Sequence, residues 1–364
     1  MPGLCPGPYN VSPDAKATPP YLWTRSHLRF SMVRTMRPLL ALRRAARMAR
    51  HTAPLSDGLP ADEELLLDAP EPWLAPALVA AGAGDHEAAA KLLATTRERG
   101  QWEVRDRAVR RLASFAARRP EWYAHWTATA PHDPDLLLLH AQLAVQAAWE
   151  SPARAELLRE AAPLVDAAAG AQPEDPVPWR LALDGARGTG AGHDVFTELW
   201  ERALRRSPHH DGCHVSALLY LSASWHGSHG ECFDFAERAA EDALPGSLSQ
   251  ALPLRAAYLW LRAEGPGEVP ESRVLAAAER AQALSARFAA GDPWPAEVRN
   301  LLVYVLVRLR SWEAAFQEVR RVGPLVTSLP WARLSDDPLA QFMDVRDGVR
   351  IEVAAATPLR DTGS

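Results

Sequence analysis

Two short stretches of the chain combine residues that bind metals or act as nucleophiles. "HHDGCH" spans residues 209–214 and "HGSHGEC" spans residues 226–232, and together they hold seven histidines and cysteines. Zinc in proteins takes four ligands, and it prefers imidazole and thiolate. A cysteine close to a histidine is also the usual pairing of a thiol nucleophile with its base. The two stretches therefore raise two hypotheses, a zinc site and a thiol enzyme.

Helix geometry separates the two stretches. In one uninterrupted helix over 212–226, Cys213 and His226 would lie thirteen residues apart, which is roughly 20 Å at about 1.5 Å per residue. The ligands of one zinc ion lie within about 2.0–2.3 Å of it, so the two stretches cannot share an ion. A disulfide between Cys213 and Cys232 is excluded as well, because bridged Cα atoms lie within about 7 Å of each other.

The second stretch has the pattern of a corner between two helices. Gly227 and Gly230 favour a turn, and Ser228 and Glu231 have the spacing of a capping box for the helix that follows. Cys232 begins a helical stripe of small and apolar residues, which continues with Phe235, Ala236, Ala239 and Ala243. We therefore expect Cys232 to be a small buried hydrophobe. In the first stretch, Asp211 is predicted to be another N-cap residue.

Two functional alternatives remain for this corner. His226, His229 and Cys232 are candidate metal ligands. Cys232 in the first turn of a helix would also have a lowered thiol pKa, with His229 or His226 as its base. No acidic residue that would orient the histidine and no oxyanion arrangement is recognisable in the sequence. We therefore predict no catalytic residue, no bound metal and no cofactor.

From residue 60 onward the composition favours helices almost throughout, with Ala, Leu, Arg and Glu dominant. Amphipathic segments that follow a small turn begin near residues 151, 192, 228, 270 and 311. These starts are 36 to 42 residues apart. That is the length of a helix–turn–helix unit, and repeats of this length are typical of solenoids.

Further apolar helices fit between these segments, over residues 133–150, 175–187, 211–225, 247–263 and 294–310. A single hairpin cannot bury its apolar face, whereas stacked hairpins can. We therefore predict an all-α fold, an α-solenoid of stacked antiparallel hairpins over residues 61–325. Residues 326–364 are expected to form a C-terminal cap and a frayed tail, with Asp336 and Asp337 near a helix start.

One unit, "DPVPWRLALDGARGTGAGHDVFTELWERALRRSP" at 175–208, resembles a tetratricopeptide repeat. Trp179 lies near the start of its first helix, Ala203 lies late in the second, and Pro208 closes the unit. It departs from that family in its glycine-rich turn and in the missing Leu-Gly pair. The stretch from residue 224 onward also looks like an actinobacterial family known only as a domain of unknown function. The resemblance implies the helical-repeat architecture and no particular activity.

Composition narrows the class of protein. The chain has 364 residues, of which 48% are hydrophobic and 23% charged, enough for a real core. Three scattered cysteines are too few for a disulfide framework and fit a reducing cytoplasm, which is the expected location. The longest apolar run, at 300–310, is too short to span a membrane and is expected to be a buried helix.

Charge divides the chain into a basic arm and an acidic body. Residues 1–60 hold nine basic and two acidic side chains, and the remainder holds 31 basic and 43 acidic ones. An acidic body would repel phosphates, so we predict no nucleic acid binding outside the arm segment Arg34–Arg50. We expect residues 1–60 to be a disordered arm with a short helix at about 33–50. Met32 and Met36 are alternative starts to Met1.

The tryptophans are the remaining candidates for recognition. In a helical-repeat protein they either wedge neighbouring hairpins together or line an aromatic groove for a peptide. The partner-binding candidates are Trp179, Trp225, Trp260 and Trp294. The sequence thus predicts a scaffold that binds a protein or peptide partner and is not an enzyme. It indicates neither the partner nor the oligomeric state.

Overall fold

The computed structural model describes residues 58–263 and 269–356, all of which belong to a unit that begins at Arg50. Of the arm predicted over residues 1–60, residues 1–57 with the short helix at about 33–50 lie outside the described residues, and so does the tail at 357–364. Among the described residues the fold is all-α, as predicted. Its helices are α1 (Ala75–Gly82), α2 (Glu87–Glu98), α3 (Trp102–Arg118), α4 (Glu121–Thr129), α5 (Pro134–Glu150), α6 (Arg154–Ala171), α7 (Val177–Thr189), α8 (His193–Arg206), α9 (Asp211–Tyr220), α10 (His229–Asp242), α11 (Leu252–Arg262), α12 (Glu271–Ser285), α13 (Ala296–Arg308), α14 (Trp312–Val322), α15 (Ser328–Trp331) and α16 (Pro338–Ala356).

The helices alternate between two rows. In the first row α3, α5, α7, α9, α11 and α13 follow one another, each in contact with the next. In the second row α6, α8, α10, α12 and α14 begin 36 to 42 residues apart, which confirms the predicted spacing of the hairpins. Each hairpin buries its apolar face against its neighbours. The apolar run at 300–310 is buried within α13, as expected.

Local sequence signals explain where several helices begin and end. The Asp133 side chain accepts a hydrogen bond from the Asp135 amide at 2.8 Å, and Pro134 occupies the first turn of α5, where no amide partner is needed. Gly190 ends α7 with φ 75°, a left-handed conformation that favours glycine. The hairpin predicted over residues 175–208 forms as α7 and α8, with Trp179 8% exposed and Ala203 fully buried.

Two predicted helices are shorter than expected. The helix predicted over 211–225 ends at Tyr220, and the chain turns back so that the His226 amide donates to the Tyr220 carbonyl at 3.0 Å. A Cβ on Gly227 would lie 2.3 Å from the Leu221 carbonyl oxygen, so this return requires glycine. The helix predicted over 247–263 begins as a 3-10 turn, Leu248–Ala251. Pro253 restricts the α-helix to a start at Leu252, because proline fits only the first turn.

A buried ion cluster holds α3 in place. Arg105 is fully buried, and its guanidinium lies 2.7 Å from Asp135 and 2.6 Å from Asp175. It also donates to the Leu93 carbonyl at 2.8 Å. Arg97 approaches Asp135 from α2 at 3.1 Å. Because Asp175 also caps α7 through the Val177 amide at 2.9 Å, one side chain of α3 links α2, α5 and α7.

The first and last elements of the described body join each other. Strand β1 (Leu66–Leu67) pairs in parallel with β2 (Leu325–Val326). Beside this pairing, Asp68 accepts hydrogen bonds from the Ser328 amide, at 2.9 Å, and from its hydroxyl. Arg346 of α16 lies 2.5 Å from Asp62. Residues 326–356 pack on α13 and α14, and the buried Trp331 donates to the Asn300 side chain at 2.7 Å. Nothing in the repeat pattern indicated that the two ends would meet.

Candidate functional site

A cavity of about 440 Å³ lies between helices of the first row. Its walls come from α3, α9, α11 and α13 and from the segments that join the two ends of the body. Ten charged side chains line it, six of them acidic and four basic. They are Asp68, Glu71, Glu103, Asp106, Asp211, Glu297, Arg107, Arg110, Arg111 and Arg255.

Helix α3 supplies one whole wall of this cavity. Glu103, Arg107, Arg110, Arg111 and Ser114 recur at steps of one, three or four residues, which places them on one side of the helix. The opposite side of α3 is buried in the core through Ala108, Leu112 and Ala116. A single amphipathic helix therefore positions the polar side chains as a consequence of burying its apolar face.

Arg107 fixes Trp294 in the wall. Its guanidinium carbon lies 3.9 Å from the centre of the indole ring, and Nη2 donates to the Trp294 carbonyl at 2.8 Å. The other terminal nitrogen lies 3.2 Å from Glu71. The stacked pair is therefore held on both sides before any ligand arrives, which lowers the entropy cost of binding.

Glu103 carries a proton at neutral pH. Its carboxyl accepts a hydrogen bond from the Asp211 amide at 2.7 Å. Burial and the negative charge of Asp211 raise the pKa of Glu103 to about 8. Asp211 is itself anchored, since its carboxylate accepts a hydrogen bond from the Ser249 hydroxyl at 3.1 Å. A neutral carboxyl can donate a hydrogen bond as well as accept one, so Glu103 offers both to a ligand in the cavity.

Most of the other charges in the cavity are already paired. Burial would raise the pKa of Asp106, but the guanidiniums of Arg110 and Arg180 outweigh it and hold that pKa well below its usual range. Arg180 lies 2.9 Å and Arg110 3.1 Å from the Asp106 carboxylate. Arg255 and Glu297 form an ion pair across α11 and α13.

Arg111 differs from its neighbours. It is half-buried in the cavity wall, and within the described residues it makes no hydrogen bond or ion pair. The cavity thus presents one uncommitted guanidinium, one neutral carboxyl and a prearranged tryptophan. These groups could together hold a carboxylate, a hydrogen-bonding group and an apolar group of one ligand.

The corner at 226–232 has the structural role predicted for it. Ser228 caps α10 by accepting from the Glu231 amide at 3.2 Å, and Cys232 is buried at 1% exposure, so both predictions are confirmed. Burial raises the pKa of Cys232 to about 12, which keeps the thiol protonated. The His226 ring stacks on Tyr220 with centres 4.5 Å apart. Among the described residues, no three His, Cys, Asp or Glu side chains come together as metal ligands.

The "HHDGCH" stretch starts α9. The prediction that Asp211 is the N-cap residue is wrong. His210 is the N-cap residue of α9, and its Nδ1 accepts a hydrogen bond from the Cys213 amide at 3.2 Å. Nδ1 of His210 also lies 3.2 Å from Sγ of Cys213. Burial lowers the pKa of His210 and raises that of Cys213 well above its usual range, so the pair is neutral rather than a thiolate–imidazolium pair.

Of the four candidate tryptophans, Trp294 lines the cavity and the others do not. Trp179 lies under the guanidinium groups of Arg202 and Arg206, whose carbons are 5.4 and 4.6 Å from its ring centre. Trp260 packs against the largest core cluster, and Trp225 packs edge to face with Trp149 at 5.5 Å.

Sequence reasoning missed the charged side of α3. The segment "EVRDRAVRR" at 103–111 holds six charged residues in nine, and that density was a usable signal. Burial distinguishes the charges of this segment, because Arg105 is fully buried in the core whereas Glu103, Arg107, Arg110 and Arg111 line the cavity.

None of the described helices is long and apolar enough to cross a membrane. No family model, characterised protein or solved structure matches this chain.

Proposed function

We propose that this chain is a protein-interaction scaffold whose central cavity binds a short segment of a partner protein. The observation that carries the proposal is the half-buried, unpaired Arg111 beside the prearranged Arg107–Trp294 stack. The repeated hairpins and the resemblance of residues 175–208 to a tetratricopeptide repeat support it. The proposal includes a cytoplasmic location, which the few scattered cysteines favour.

The size and lining of the cavity limit the bound segment. A volume of about 440 Å³ lies within the range of roughly 300–1,000 Å³ that small-ligand pockets occupy, so it admits a few side chains and no folded element. An acidic side chain of the segment would pair with Arg111. Val215, Leu219 and Val298 offer an apolar surface for a neighbouring side chain.

Thiol chemistry at the 226–232 corner is not supported by the structure. A thiol with a pKa of about 12 is almost wholly protonated at neutral pH, and the protonated form is a poor nucleophile. The proposal therefore rests on binding.

The test is capture of a partner from the native lysate by the full chain, followed by chemical cross-linking to locate the bound segment. Arg111→Ala is compared with Arg159→Ala, a matched control because Arg159 is exposed on α6, away from the cavity. We expect one stoichiometric partner with the wild type and the control. We expect at least a tenfold loss with Arg111→Ala, since hydrogen bonds to charged groups contribute about 1.5–3 kcal/mol. Equal capture by Arg111→Ala, or cross-links that map away from α3 and α9, would refute the cavity as the binding surface.

A further inference from the structure

A second group of cationic side chains lies away from the cavity. Arg187 and Trp149 come from the last turns of α7 and α5, Arg154 from the start of α6 and Trp225 from the turn before α10. Arg333 follows α15. These five residues are called the arginine–tryptophan cluster below, and none of them lines the cavity already described.

Both indoles contact the same two guanidiniums. The guanidinium carbon of Arg187 lies 4.0 Å from the centre of the Trp149 ring and 5.1 Å from that of Trp225. The corresponding distances for Arg154 are 4.7 and 5.8 Å. Gly188 permits this packing, because a Cβ there would lie 3.1 Å from the Trp149 ring. The arrangement fixes two like charges close together.

Positive charge in the cluster exceeds negative charge by two. Asp184 lies 3.2 Å from Arg187, but it also pairs with Arg180 at 3.3 Å. Within the described residues Arg154 and Arg333 form no ion pair. Burial is the main cause of the lowered pKa of Arg187, and the positive charges of Arg154 and Arg333 lower it further.

Three buried donors in the cluster lack an acceptor. They are Nε of Arg154, Nε of Arg187 and Nε1 of Trp149. Buried donors without partners are unfavourable, and each of these becomes satisfied only by a group that accepts hydrogen bonds. The same cluster offers no unsatisfied side-chain acceptor, so the ligand it favours is an anion rather than a mixed polar group.

The cluster favours a compact anion over a flat aromatic ligand. The Trp149 ring is already in contact with the guanidiniums of Arg187 and Arg154. A phosphate monoester carries about −1.5 to −2 charges at pH 7 and presents three strong acceptor oxygens. That charge matches the excess of two, and its oxygens are acceptors of the kind that the three donors lack.

We propose that the arginine–tryptophan cluster binds the dianionic phosphate monoester group, supplied either by a phosphorylated side chain or by a small phosphorylated molecule. Exposed Arg333 and half-buried Arg154 receive the anion from solvent, while Arg187 is held at 12% exposure behind them. This inference does not depend on the cavity or on a protein partner.

The test is isothermal titration calorimetry of the full chain at low ionic strength and pH 7.5. The probes are inorganic phosphate, an acetylated Gly-phosphoserine-Gly peptide, and the same peptide with glutamate in place of phosphoserine. We expect the phosphorylated probe to bind at least tenfold more tightly than the glutamate peptide, with an affinity that falls as salt rises. Phosphoserine and inorganic phosphate of equal affinity would identify a small phosphate as the source. A phosphopeptide preference of tenfold or more would identify a phosphorylated protein.

Substitutions locate the site. Arg333→Gln and Arg154→Gln should each weaken phosphate binding about tenfold or more, because each removes a charge-assisted contact. Arg159→Gln, on the same helix as Arg154 and exposed, should bind as the wild type does. Unchanged binding in both cluster variants, equal affinity for the glutamate peptide, or no heat with any probe would overturn the proposal. Arg111→Ala should leave phosphate binding unchanged, so that failure of the cavity proposal and failure of this one are separable.

Discussion

The proton on Glu103 makes the stability of this protein fall as pH rises. Folded Glu103 loses its proton near pH 8, whereas an unfolded glutamate loses it near about pH 4.3. Between these values the folded state binds more protons than the unfolded state, so the free energy of unfolding decreases with increasing pH. One proton contributes a slope of at most about 1.4 kcal/mol per pH unit.

The pKa values of other buried groups determine the pH range in which the slope due to Glu103 can be measured. Burial lowers the pKa of His210 and His214, so their contribution to stability rises with pH up to about 6.5, the pKa of an unfolded histidine. The buried thiols Cys213 and Cys232 affect stability only above about pH 8.5, where unfolded cysteines ionise. Glu103 therefore titrates in a pH range, about 6.5 to 8, in which these histidines and thiols contribute little.

The assay is urea unfolding at four pH values across that window. We expect the wild type to lose about 1.6 kcal/mol from pH 6.5 to 8, because the slope is near its maximum at pH 6.5 and falls to half of it at pH 8, where Glu103 is half ionised. Glu103→Gln keeps an acceptor for the Asp211 amide and cannot ionise, so its stability should change by less than about 0.5 kcal/mol. Glu160→Gln, at an exposed position of α6, should retain the wild-type slope. A flat wild-type profile, or an equal slope in Glu103→Gln, would refute the reasoning.

Three further predictions concern buried groups. Arg105→Met should cost about 3–5 kcal/mol in urea unfolding, because it leaves buried carboxylates without their guanidinium. Gly188→Ala should destabilise by about 1–3 kcal/mol through overpacking, since its Cβ would meet the Trp149 ring and the Leu158 side chain. Gly185→Ala in the same helix has open space and should stabilise by up to about 1 kcal/mol. Cys213 and Cys232 should resist thiol reagents at pH 8 until denaturant is added, as peptide mapping of the labelled protein would show.

Each of these predictions has an outcome that would contradict it. Arg205→Met removes an exposed pair with Glu201, 3.6 Å apart, and should cost less than about 1 kcal/mol. If the Arg105 variant costs no more than this control, the buried cluster does not hold α3. Equal changes in the free energy of unfolding for Gly188→Ala and Gly185→Ala would show that the Leu158 side chain and the Trp149 ring are free to move. Rapid native labelling of Cys232 would revive the thiol hypothesis.

The fold class was predictable because it depends on local patterns. Helix propensity, the recurring turn and the capping residues Asp133 and Ser228 act over a few residues, and the structure confirms them. The ends of helices were less predictable where a tertiary contact decides them. Tyr220 ends α9 because the chain must return past Leu221 to place His226, which no local signal shows.

The candidate site was not predictable for a related reason. Histidine and cysteine attracted attention by their chemistry, but burial makes Cys213 and Cys232 inert. Nothing in the sequence around Glu103 and Arg111 distinguishes them from other charged residues. The pKa of the Glu103 carboxyl is raised only because α9 packs close to α3 in the fold. A pKa shift of this kind depends on residues more than one hundred positions away, such as Asp211, so a single sequence cannot reveal it.

The joining of β1 to β2 sets the order of events during synthesis. Asp68 and Ser328 lie 260 residues apart, so at about 5–20 residues per second the ribosome needs roughly 13–52 s to deliver the second partner after the first. The hairpins between them make short-range contacts and fold quickly as they emerge, whereas the closing contact has the long sequence separation that slows folding. During that interval Leu66 and Leu67 form an unpaired strand edge, the kind of edge that other chains can pair with. The pairing of β1 with β2 completes the fold, but until β2 has been synthesised the strand edge at Leu66 and Leu67 is exposed to other chains.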